Sequence, residues 1–79
     1  MLTWKATVQE KWESLSDREH DLLHHLALGE NNKTIAISLN ISSKTVEFHI
    51  TNILQKLDMN SRDEVIVWML KYHPDASDN

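Results

Sequence analysis

SSKTVEFHITNILQKL, Ser42 to Leu57, is the stretch on which the fold of this chain turns. At the helical period of 3.6, Val46, Ile50, Ile53, Leu54 and Leu57 fall at i, i+4, i+7, i+8 and i+11 and make one apolar stripe. That stripe is the expected buried face. Lys44, Phe48, Thr51, Asn52 and Gln55 then stand on the opposite side, with Glu47 and His49 on the flanks. Phe48 is thereby turned toward water. A single exposed apolar side chain is ordinary, but one set among short hydrogen-bonding residues points to a contact surface.

Working outward, a shorter helix is expected just before this one, capped by Asn32, carrying Ile35, Ala36 and Leu39 and ending near Asn40. Ser42 caps the longer helix. Between them only Asn40, Ile41 and Ser42 remain, which forces a sharp turn with Ile41 as its apolar plug. A short helix, a tight turn and a longer helix with a small, polar outer face have the sequence form of a helix-turn-helix. In that geometry the first helix braces the second, whose outer face can enter the major groove of a duplex. Ser42, Ser43 and Thr45 lie at the helix start, where free N–H groups and the dipole favour a phosphate. Lys44, Thr51, Asn52 and Gln55 are of the types that hydrogen-bond base edges or phosphates, and Phe48 can meet a thymine methyl.

Two further helices flank this pair. Ser16 with Glu19 is a capping-box signature, followed by Leu22, Leu23, Leu26 and Ala27 on one stripe and closed by Gly29, which predicts a helix over about 17–28. Ser61 with Glu64 forms another before Val65, Ile66, Trp68, Met69 and Tyr72, and Pro74 stops that helix. Trp4, Val8, Trp12 and Leu15 share one helical face, so an extra helix is expected over residues 4–14. The organisation expected is an N-terminal extension over 1–15, one all-α domain over 16–73, and a disordered acidic tail, PDASDN, over 74–79.

Composition agrees with an all-helical single domain. The 79 residues are 41% hydrophobic and 25% charged, with one glycine and one proline. A chain this short buries only about 60–65% of its unfolded surface. Having no cysteine, it has neither a disulfide framework nor a thiolate metal site to reinforce it. The start, MLTWKATVQEKW, lacks the apolar core of a secretory signal, and the longest apolar run, Val65 to Leu70, is too short to span a bilayer, so a cytoplasmic location and no membrane partner are expected.

The net charge of −4 is unusual for a nucleic-acid binder. The acids are unevenly placed, however. Asp17, Glu19 and Asp21 crowd one helix start and Asp75 and Asp78 the tail, while residues 44–62 carry Lys44, Lys56 and Arg62 against Glu47 and Asp58.

From LSDREHDLLHHLALGENNKTIAISLNISSKTVEFHITNILQKLDMNSRDEVI, the chain resembles the LuxR-type family of bacterial transcription regulators, also called LuxR/FixJ or GerE-like. The matching fragments are L-T-x-R-E, the apolar helix ending in Gly, N-K-x-I-A, L-x-[LIV]-S-x-x-T-V, H-[IV]-x-x-I-x-x-K-L and S-R-x-E. Each is weak alone, but in this order and spacing they are highly specific. The resemblance implies a four-helix fold, a third helix that reads the major groove, a last helix that joins two protomers, and double-stranded DNA as partner. It places base contacts on Lys44, Glu47, Phe48, Thr51 and Asn52, and phosphate contacts on Lys33, Thr45, His49, Lys56 and Arg62. Three departures remove positive charge or backbone freedom: Glu47 where many members carry Lys or Arg, Asn60 for a frequent basic residue, and Asp58 for a frequent Gly. Glu47 either accepts from a cytosine N4 amine or is a solvated flank residue.

Other readings are weaker. His20 and His24 have the spacing of a metal pair, but nothing is placed to complete a site, so they are expected to face solvent, with no cofactor and no small-molecule ligand. No nucleophile elbow or glycine-rich loop points to an enzyme. Val67 and Leu70, on a face of the last helix that should be wet, predict a homodimer unless the Trp4 to Leu15 segment folds back over them. The remaining alternative is a helical interaction module that binds another regulator or RNA polymerase without touching DNA; in either case no sensory domain is contained in these residues, whether they form a response-regulator effector domain or a stand-alone protein.

Overall fold

The computed structural model describes residues 7–72, and these form α1 (Val8–Glu13), α2 (Asp17–Ala27), α3 (Asn32–Leu39), α4 (Ser43–Leu57) and α5 (Arg62–Tyr72). No strand occurs among them. The expectations for Trp4, for Pro74 as a helix stop and for the tail over 74–79 lie outside the described residues.

Each helix begins where the local chemistry dictates. Ser16 Oγ accepts the Glu19 N–H (3.2 Å) while the Glu19 carboxylate accepts the Ser16 N–H (2.8 Å), a complete capping box. Thr7 and Glu10 form the same reciprocal pair, which starts α1 at Val8. Asn31, not Asn32, caps α3 through a 2.9 Å bond from the Thr34 N–H. Either asparagine could have capped, but Asn32 Oδ1 is taken by Arg62. Ser61 Oγ accepts the Glu64 N–H at 3.2 Å, but Glu64 reaches back to the N–H of Asn60 rather than of Ser61, so that box is only half formed.

The ends follow glycine logic. Gly29, at φ +79°, takes the left-handed conformation that closes α2, and the Glu30 N–H then reaches His25 O at 3.2 Å. Asn40 (φ 57°) and Asp58 (φ 55°) perform the same turn without glycine. After Asn40 the Ile41 N–H bonds back to Ala36 O at 2.9 Å, which turns the chain into the cap of α4 and lets Ile41 pack against the core as the expected plug.

α4 is the central element, packing on α2, α3 and α5, while α2 also packs on α5. The core collects Leu15, Leu22, Leu23, Leu26, Ile35, Val46, Ile53, Leu57, Val65, Trp68 and Met69, with Ile50 at its edge. Tyr72, in the last turn of α5, is exposed where burial was expected and lines an open groove with Met59 and Trp68. α1 docks through Trp12, whose ring stacks on His20 (4.2 Å between centroids) and lies 6.5 Å from Trp68. His20 Nε2 donates to the Trp12 carbonyl at 2.7 Å. His20 and His24 are therefore half-buried against Trp12 and do not face solvent as expected, because α1 covers that side of α2.

Candidate nucleic-acid interface

The orientation of α4 decides what its outer face can do. Val46, Ile53 and Leu57 are sealed at 0% exposure and Phe48 stands at 63%. Lys44, Glu47, Thr51 and Gln55 are exposed alongside it, and Asn52 is half-buried at the edge. Five of the residues singled out for base contact thus line one surface of one helix. Neither the Lys44 ammonium nor the Glu47 carboxylate, one turn apart, takes part in an ion pair among the described residues. Thr51 Oγ1 donates to the Glu47 carbonyl at 3.0 Å, a back-bond along the helix. The Phe48 ring meets the His49 ring edge-on, 5.9 Å between centroids.

The expected phosphate contacts divide into two groups. Lys33, in the first turn of α3, is exposed, and Thr45 and His49 are half-buried on α4 itself. Thr45 Oγ1 lies 2.9 Å from Ser42 Oγ, within the cap. Lys56 and Arg62 are instead engaged internally. Lys56 Nζ donates to Glu19 Oε1 at 2.7 Å and so ties the end of α4 to the start of α2. Arg62 donates to Asn32 Oδ1 and, at 2.8 Å, to the Glu30 carbonyl, stapling the start of α5 to the α2–α3 turn.

Glu19 has a role beyond the cap that its sequence position predicts. Its side chain is 4% exposed. Burial pushes its carboxyl up, but the Lys56 hydrogen bond, the Ser16 backbone bond and the Lys56 charge together outweigh this and hold it below the ordinary carboxylate value. The signal was present: Glu19 stands at i to the Leu22, Leu23 and Leu26 stripe at i+3, i+4 and i+7, on the buried face. Arg62 holds the same relation to Val65, Ile66 and Met69.

On α5, Val67 and Leu70 remain 62% and 46% exposed, so α1 does not cover them. Beside Val67 an open groove of about 430 Å³ runs between Met59, Trp68 and Tyr72. Among the described residues no group of three or more acidic or histidine side chains is placed to hold a metal, and no helix is long and apolar enough to cross a membrane.

The family "Bacterial regulatory proteins, luxR family" matches residues 13–69, the span from the end of α1 through most of α5. The chain belongs to the luxR family. Within it, the uncharacterized transcriptional regulatory protein YhcZ of Bacillus subtilis is 42% identical over 65 residues, covering 82% of this chain and 30% of that protein. The nitrate/nitrite response regulator protein NarP of Escherichia coli is 44% identical over 63 residues, 80% of this chain and 29% of NarP. The transcriptional regulatory protein LiaR of B. subtilis is 46% identical over 61 residues, 77% and 29% respectively. The chain thus spans under a third of the length of these luxR-family relatives.

Proposed function

We propose that the chain binds double-stranded DNA sequence-specifically as part of a bacterial transcription regulator, with α4 in the major groove. The observation that carries this reading is the sidedness of α4: one edge packs into the core, with Val46, Ile53 and Leu57 fully buried, while the other offers an aromatic ring and a row of polar side chains to anything as wide as a groove. Membership of the luxR family and the regulators among its relatives support it. Lys44, Glu47, Phe48, Thr51 and Asn52 meet base edges; Lys33, Thr45 and His49 meet phosphates. Lys56 and Arg62 act first as braces that hold α4 and α5 against α2 and the α2–α3 turn. Val67 and Leu70 of α5 join two protomers, which places half-sites about one turn of duplex apart, roughly 10 base pairs.

The overall charge of −4 favours a second reading, a helical module that docks on another regulator or on RNA polymerase. Fluorescence anisotropy with a duplex library at low salt separates the two. DNA binding through phosphate contacts makes log K fall with log salt, by about one unit of slope per phosphate that a cationic side chain neutralises. Lys44→Ala with Phe48→Ala should lower the affinity of the best duplex at least about tenfold. A flat salt response, or full affinity in the double variant, rules out this use of α4.

A further inference from the structure

Given the reading above, with α4 in the major groove, the functional groups on its outer face determine which bases it accepts. Glu47 is exposed and pairs with no cation among the described residues, so it meets the duplex as a bare carboxylate. An ionised carboxylate can only accept hydrogen bonds. In the major groove guanine and thymine present acceptors, whereas cytosine N4 and adenine N6 present amine donors. Near phosphates a carboxylate is repelled by every duplex, and because each base pair carries its major-groove amine on only one of its two strands, an amine offsets that repulsion only where the sequence places one on the strand the carboxylate reaches.

Thr51, one turn along, points the same way. Its hydroxyl donates to the Glu47 carbonyl at 3.0 Å, and in that arrangement it has lone pairs left to offer. Phe48 between them is 63% exposed and braced edge-on by the His49 ring, and the apolar group that the major groove can offer it is the thymine 5-methyl.

We propose that Glu47, Phe48 and Thr51 together select an amine-bearing base, cytosine or adenine, next to a thymine methyl, and reject guanine at the Glu47 position. Glu47 is on this account a specificity residue that lowers binding to mismatched DNA more than it raises binding to the matched site.

The test is selection from randomised duplexes with the full chain, its Glu47→Ala variant and its Phe48→Ala variant, followed by titration of the enriched duplex with thymine or with uracil, which lacks the methyl. All the altered side chains are exposed, so folding is checked by an unchanged melting temperature. The expected result is cytosine or adenine enriched beside thymine, with Glu47→Ala losing about tenfold discrimination at that base while binding mismatched duplexes more tightly. Uracil weakens the unaltered chain severalfold and leaves Phe48→Ala unchanged. Identical enrichment in the unaltered chain and Glu47→Ala, guanine at the contacted base, or an equal uracil effect in both proteins overturns the proposal while DNA binding by α4 stands. No enrichment together with a flat salt response overturns both.

Discussion

Replacing Lys56 by methionine tests the brace under the proposed DNA-reading helix. The substitution keeps the aliphatic stem and removes the ammonium 2.7 Å from Glu19 Oε1. The carboxylate left behind is 4% exposed and keeps its bonds at the Ser16 cap, whereas the Lys56 side chain is 41% exposed and partly screened by water. The loss therefore falls below the roughly 3–5 kcal/mol of a fully buried pair, at about 1–2 kcal/mol. For a domain of this size that lowers Tm by about 4–16 °C. Because the folded-state pKa of Glu19 is depressed, the unfolded chain takes up its proton first as the solution is acidified. The stabilisation is thus present above the unfolded carboxylate pKa and is lost as pH falls through the folded value. In Lys56→Met burial is opposed by Ser16 alone, so the pKa moves up and acidification relieves the defect. Urea unfolding from neutral pH into the carboxylate range should show the two proteins converging, and Glu19→Gln combined with Lys56→Met should cost less than the sum of the two single changes. A gap independent of pH, or simple additivity, refutes the reasoning. In DNA titrations a brace leaves the salt slope unchanged, whereas a phosphate contact reduces it by about one unit.

Asp58→Gly should stabilise the domain by about 1 kcal/mol, since φ 55° suits glycine and a carboxylate at the C-terminus of α4 opposes the helix dipole; thermal melting reads it directly. Arg62→Lys should destabilise by about 1–2 kcal/mol in urea unfolding, because an ammonium cannot span Asn32 Oδ1 and the Glu30 carbonyl as the guanidinium does. Val67→Glu with Leu70→Glu should leave the fold intact, both positions being exposed, and yield a monomer in sedimentation equilibrium under conditions where the unaltered chain associates; a monomeric unaltered chain contradicts the α5 pairing.

The helices were legible because their determinants are local. Ser16, Ser42 and Ser61 cap through bonds spanning three residues, Gly29 and Asn40 turn the chain within one residue, and the α4 stripe has the helical period itself. The outer face of α4 followed from the same periodicity, which is why Phe48 could be placed in solvent from the sequence. Tertiary structure alone decided the rest. Lys56 finds Glu19 across 37 residues and Arg62 finds Glu30 across 32, and no spacing rule reaches so far. A long charged side chain goes to whichever partner its helix packing brings within about 3 Å, so its type announces a charge but not a destination. The same holds for Asn31 prevailing over Asn32 as a cap, and for Trp12 docking beside Trp68 while Val67 stays open. Local chemistry selects the elements, and competition among distant groups in the packed fold determines which side chains remain free to bind.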